Sequence, residues 1–126
     1  MLPRKHRLTA DKDITRVLRK GRAVFTNLLG VKALPAEGGV TRTAVVVGTK
    51  VHKRATKRNL IKRRVREVLR VLIPKLKASA DLVIMARDEA VGRSQADLKT
   101  ALEYSLRKLN LLPLPSGERQ GEGKKS

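Results

Sequence analysis

No cysteine occurs among the 126 residues. That excludes a disulfide framework, a thiolate-held zinc or iron–sulfur site and a cysteine nucleophile. Tryptophan is absent, and Phe25 and Tyr104 are the only phenylalanine and tyrosine. So few rings argue against a surface on which successive bases stack, as many single-strand binders use. No run of about 18 apolar residues appears, so no segment reads as a membrane span. The basic stretch over residues 1–8 leads into further charge instead of an apolar core and does not read as a secretory signal. A cytoplasmic location with no membrane attachment is the expectation. Acid is scarce as well: 11 Asp and Glu stand against 30 Lys and Arg, a formal charge of +19. A chain this basic repels itself unless a polyanion lies nearby, so nucleic acid is the leading partner and an anionic membrane surface the second.

The length suits one domain with one small core. Residues 10–19 form a short helical pattern, with Thr9 as N-cap, Asp11 and Asp13 in the first turn and Gly21 as the stop. Ile14, Val17 and Leu18 supply its apolar stripe. Residues 22–34 read as extended, with a bulge or kink at Asn27 and Gly30. The Pro35-Ala-Glu-Gly-Gly39 turn leads to a strand over 43–49, read as central with both faces covered, and the pairing across that turn is expected to be antiparallel. A long helix over 55–73 separates Ile61, Val65, Val68 and Leu72 from a basic arc, and Pro74 ends it. An apolar strand over 81–86 completes a β-α-β unit. The last helix, residues 95–109, starts at Ser94 with Asp97 three residues on, and Leu98, Leu102, Leu106 and Leu109 form its stripe. From Pro113 onward the composition predicts a disordered charged tail, residues 113–126, behind a domain of residues 1–112.

The chemistry concentrates in residues 50–70. Lys50, Lys53, Arg54, Lys57, Arg58, Lys62, Arg63, Arg64, Arg66 and Arg70 lie there, with Glu67 the only acid. A solvated helix face normally mixes signs, because like charges four apart weaken a helix by a few tenths of a kcal/mol. Arg58, Lys62, Arg66 and Arg70 are like charges at successive fours, an arrangement that a phosphate backbone turns from cost to gain. Asn59 lies on the same arc; it can orient neighbouring arginines or touch a 2′-hydroxyl or base edge, or it can be a plain helix residue. His6 and His52 lack a nearby carboxylate for an acid–base relay. Asp11, Asp13, Asp81, Asp88 and Glu89 form no pattern for a pair of metals. The chain alone reads as a binder.

The run Lys57-Arg58-Asn59-Leu60-Ile61-Lys62-Arg63-Arg64-Val65-Arg66-Glu67 closely resembles the signature helix of the protein subunit of bacterial ribonuclease P, with its Arg-Asn-x-x-Lys-Arg-x-x-Arg pattern. His6-Arg7-Leu8, the short helix ending at Gly21, and the strands before and after the long helix agree in order over roughly residues 4–110. The resemblance implies an α+β fold with a four-stranded, mainly antiparallel sheet packed by helices and a left-handed β-α-β crossover. It also implies a ribonucleoprotein endonuclease in which an RNA subunit with Mg²⁺ removes the 5′ leader of precursor tRNA. Carried onto this chain, Lys53, Arg54, Lys57, Arg58, Asn59, Lys62, Arg63, Arg66 and Arg70 would meet the catalytic RNA. Arg7, Ile14, Leu18, Arg22 and Lys50 would lie in or beside a cleft for the single-stranded leader. No catalytic residue in the protein and no obligate protein partner are expected, and Mg²⁺ would be held mainly by RNA and substrate. Ile14, Leu18 and Leu29 stand where the family often carries aromatics, so the cleft is expected to rely on aliphatic contact and cations. A structural RNA-binding protein, a self-contained nuclease and a DNA-binding protein are the alternatives.

Overall fold

The computed structural model describes residues 4–113. In chain order its elements are α1 (Asp11–Lys20), β1 (Arg22–Phe25), β2 (Leu29–Pro35), β3 (Arg42–Val46), α2 (Ala55–Leu72), β4 (Ala80–Ala86) and α3 (Gln95–Lys108). All of the expected tail except Pro113 lies outside the described residues.

The separation of apolar and basic residues in α2 decides how the molecule is layered. Ile61, Val65, Val68, Leu69 and Leu72 are buried, and they pack with Leu98, Leu102 and Leu106 of α3 against Leu29, Val31, Leu82 and Ile84 of the sheet. The opposite face carries a smaller cluster of Leu8, Val17 and Val83, with Ile14, Leu18, Leu34, Ala44 and Met85 packed around it. Thus α2 and α3 cover one face of the sheet and α1 covers part of the other. Within α1, Val17 is the fully buried residue, while Ile14 and Leu18 are half-buried.

The strand order is β1-β2-β4-β3. β1 with β2 and β2 with β4 are antiparallel, and β3 with β4 is parallel. The sheet is therefore mixed, and the expected antiparallel pairing across the 35–39 turn does not form: β4 lies between β2 and β3. β3 is an edge strand, met among the described residues by an isolated bridge between Arg7 and Thr43 and by the Thr43 hydroxyl donating to the His6 carbonyl at 3.2 Å. It is apolar because α2 and α1 each cover part of it, but Val46 stays 41% exposed. An interior position belongs to β4, buried from Ala80 to Ile84.

Three local readings change. Helix α1 begins one residue late, with Ala10 as N-cap and no side-chain cap, because Leu8 is still tied to the sheet through its N–H to the Thr43 carbonyl at 2.7 Å. The stretch over 22–34 is a hairpin. Thr26 makes its turn, its hydroxyl accepting from the N–H groups of Leu28 and Leu29 at 3.3 and 3.1 Å. Gly21 does end α1, yet with φ −72°; a Cβ there would lie 2.5 Å from the Val17 carbonyl oxygen, so close approach is what demands glycine. The start of α3 is as expected, the Ser94 hydroxyl accepting from the Asp97 N–H at 3.1 Å. Its end uses Asn110 at φ 62°.

Candidate nucleic-acid interface

Helix α2 starts without any acid in its first turn and without a side-chain cap. Its unpaired N–H groups and partial positive charge therefore point at Lys53, Arg54 and Lys57, an arrangement that favours an anion. The loop before it is fixed locally: the Arg54 N–H donates to His52 Nδ1 at 3.0 Å. Arg58 differs from its expected outward position. It is half-buried, and its Nη1 donates to the carbonyls of His52 and Lys53 at 2.8 and 2.7 Å, so it clasps the loop to the helix. Arg64 turns the other way, to the Arg93 carbonyl at 2.7 Å. Arg70 pairs with Glu67 at 3.3 Å on the surface. Lys53, Arg54, Lys57, Asn59, Arg63 and Arg66 are exposed and Lys62 is half-buried. None of these seven side chains bonds to another described residue.

On the face of the sheet that α1 shares, strand register sets side chains in rows. Ala23, Lys32, Val83 and Ala44 form one row, and Phe25, Gly30, Met85 and Val46 the next. Helix α1 sits over the first row, where Lys32 Nζ donates to the Leu18 carbonyl at 2.6 Å and so satisfies the helix's C-terminal end. The second row is only partly covered: Phe25 and Val46 are exposed, while Met85 joins Ile14 and Leu18 around the α1-side cluster, so the row makes a trough beside α1. Parallel β3 and β4 leave the sheet at the same end, so the loop carrying Lys50 and the exposed Arg87 both border this row. Arg87 is also held to the β1–β2 turn, its N–H donating to the Leu28 carbonyl at 2.9 Å.

One expected cleft residue, Arg22, is turned to the other face of the sheet. Arg22 pairs in register with Ala33, which belongs to the other face, and it lines a small pocket with Ala80 and Leu109. Arg7 bridges Thr43, and it is the adjacent Leu8 that enters the α1-side cluster.

Behind the trough wall lies a charge cluster built on one buried carboxylate. Asp81 is fully buried and receives Arg42 through Nε at 3.1 Å and Nη2 at 2.9 Å. Arg16 approaches the same carboxylate at 3.6 Å and bonds Glu37 at 3.0 Å, while Arg42 reaches Asp13 at 3.5 Å. The hydrogen bond to Asp81 raises the Arg42 pKa, and the bond to Glu37 raises that of Arg16. The cluster joins α1 to β3 and β4. His6 is structural too, its Nδ1 donating to the Thr41 carbonyl at 2.8 Å.

A family model described as Ribonuclease P matches residues 2–110. The chain belongs to the ribonuclease P protein family. Among relatives named ribonuclease P protein component, one from Xylella fastidiosa is 38% identical over 114 residues, covering 90% of this chain and 83% of the relative. Another, from Chloroflexus aurantiacus, is 34% identical over 116 residues, covering 91% and 85%. Solved structures share the fold. The ribonuclease P protein of Staphylococcus aureus superposes with a TM-score of 0.77 at 24% identity over 86% of this chain and 98% of that one. That of Thermotoga maritima gives 0.71 at 23% identity over 80% and 96%.

Mg²⁺ wants several oxygen ligands in near-octahedral geometry. Among the described residues no three histidine or acidic side chains gather into a metal-binding group, and the Asp81 carboxylate is already taken by arginine. Phe25, Lys32 and Arg87 were not legible as trough residues. The signal for Phe25 was present in the hairpin: once Thr26 is read as its turn, Phe25 falls opposite Gly30.

Proposed function

We propose that this chain is the protein subunit of an RNA-catalysed ribonuclease P, binding the catalytic RNA through α2 and the loop before it and the single-stranded 5′ leader of precursor tRNA in the trough. The supporting observation is the set of exposed side chains from Lys53 to Arg66 that have no partner among the described residues. Cations so arranged weaken their own helix and gain from a phosphate backbone. Lys53, Arg54 and Lys57 meet RNA at the start of α2, and Asn59, Lys62, Arg63 and Arg66 along its exposed arc, with Arg70 at the far end. Arg58 acts indirectly, by holding the loop. Ile14, Leu18 and Lys50 border the leader, and Lys32 braces α1 beside it.

In this reading the protein performs no bond cleavage. Mg²⁺, held by the RNA subunit and the substrate, supplies the activated water and the stabilisation of the leaving oxygen. The protein's cations reduce repulsion among leader, catalytic RNA and tRNA, which raises substrate affinity without reading sequence. The site of action would be the cytoplasm.

The deciding experiment is precursor-tRNA cleavage at low Mg²⁺ with cognate ribonuclease P RNA, with and without the protein, beside a protein-only control. Mature 5′ ends that require the RNA and form much faster with protein are the expected result. No stimulation by folded protein would favour a structural RNA-binding role, and cleavage by protein alone would place the chemistry in this chain.

A further inference from the structure

We propose that Phe25 is a stacking platform for one unpaired base of the leader, an inference that rests on the leader reading above. The chain's single phenylalanine is not in the core: it is 55% exposed, on the partly covered second row of the sheet. Its position is nevertheless defined. A Cβ at Gly30 would fall 2.6 Å from Phe25 Cδ1 and Cε1 and 3.2 Å from the Met85 methyl. The ring therefore leans on bare glycine backbone beside Met85, seated on one side and accessible on the other. Along the same row Met85 and the exposed Val46 continue an apolar floor across to β3.

Charge identifies the occupant. The Arg87 guanidinium stands 5.8 Å from the ring centroid, a cation–π distance, and its side chain has no other partner among the described residues. A base stacking on Phe25 needs about 3.5 Å of clearance, so it displaces Arg87 from the ring. The freed guanidinium is then left to meet the adjoining phosphate. An apolar platform with a mobile cation at its edge and Lys50 at the far side suits a nucleotide in single-stranded RNA, whose bases are free to turn outward. The aromatic contact thus comes from β1, not from the α1 and β2 positions at which Ile14, Leu18 and Leu29 stand.

The competing role for the ring is structural, a cover over an otherwise bare glycine near a sheet edge. The two roles separate in holoenzyme reconstituted with ribonuclease P RNA. Binding is compared for precursor tRNA and for the same tRNA without its leader, using Phe25→Leu, Phe25→Trp and Gly30→Ala, with 2-aminopurine stepped along the leader. Stacking predicts that Phe25→Leu loses about 5- to 150-fold in affinity for the leader-bearing substrate and nothing for the leaderless one. Phe25→Trp restores affinity, and Gly30→Ala, which pushes the ring off its seat, reproduces part of the loss. Quenching of 2-aminopurine at one leader position appears with Phe or Trp and vanishes with Leu. Equal loss for both substrates, or a fall in melting temperature alone, would make the ring a glycine cover and overturn the proposal. Unchanged leader affinity in Phe25→Leu, with the wild type still favouring leader-bearing substrate, overturns stacking and leaves the leader reading standing. A wild type that does not distinguish the two substrates removes both.

Discussion

Asp81 has no access to water, and its carboxylate depends on two bonds from Arg42 with Arg16 at 3.6 Å behind them. Removing Arg42 leaves that buried carboxylate with the longer Arg16 contact alone, and an under-compensated buried charge costs more than the pair contributes. Arg42→Met is expected to lower the free energy of unfolding by about 2–4 kcal/mol in urea melts, and Arg42→Met combined with Asp81→Leu to recover much of it. Both arginine pKa values move upward. Their contribution is thus complete below the ordinary arginine value and lost only above it, so these two groups add no slope to stability near neutral pH. Arg58 and Arg66 separate in the same manner. Arg66→Ala should reduce the slope of log affinity against log salt for the catalytic RNA by about 0.7–0.9 and leave the fold unchanged. Arg58→Ala should weaken binding with a further signature, loss of amide-exchange protection at Arg54, since its two bonds to the His52 and Lys53 carbonyls disappear. Equal behaviour of the two variants would refute the clasp.

Helix α2 was legible because one short stretch contains both its apolar stripe and its basic arc, and Pro74 closes it. The same holds for α3, with Ser94 in front and leucines at helical spacing, and for the apolar run of β4. The hairpin was obscure because Thr26 turns the chain with its hydroxyl, without the Asn-Gly or Gly-rich pair that announces tight turns. Strand order was obscure for a different reason: Val45 and Ile84 are paired neighbours 39 residues apart, and nothing local in either strand names its partner. Trough membership inherits that difficulty. The alternation along a strand says only that Arg22 and Phe25 face opposite ways; pairing with Ala33 and Gly30 decides which of them meets α1's side. The fully buried Leu69, which the stripe over Ile61, Val65, Val68 and Leu72 omitted, lies in the last turn of α2. Leu69→Ala should cost about 2–5 kcal/mol, read from the urea midpoint at constant slope.

Taken as one body, the molecule places its largest core behind α2 and leaves its cations on the outward arc of that helix, so the proposed RNA contact and the fold draw on opposite sides of one element. The formal charge of +19 ensures that the free protein is under electrostatic tension that a polyanion relieves. A different consequence follows from β4, the last of the described strands to be synthesised and, with β2, one of the two interior strands of the finished sheet. Until residues 80–86 leave the ribosome, β2 and β3 can have no neighbour in common, and each presents a bare row of amide and carbonyl groups beside a slot roughly 10 Å wide. The sheet cannot be completed from the amino terminus by adding strands at its rim, because β4 must enter between two strands made before it. A nascent chain paused before residue 80 is therefore at its most adhesive, and any passing extended segment is a competitor for the place that Ala80 to Ala86 will fill.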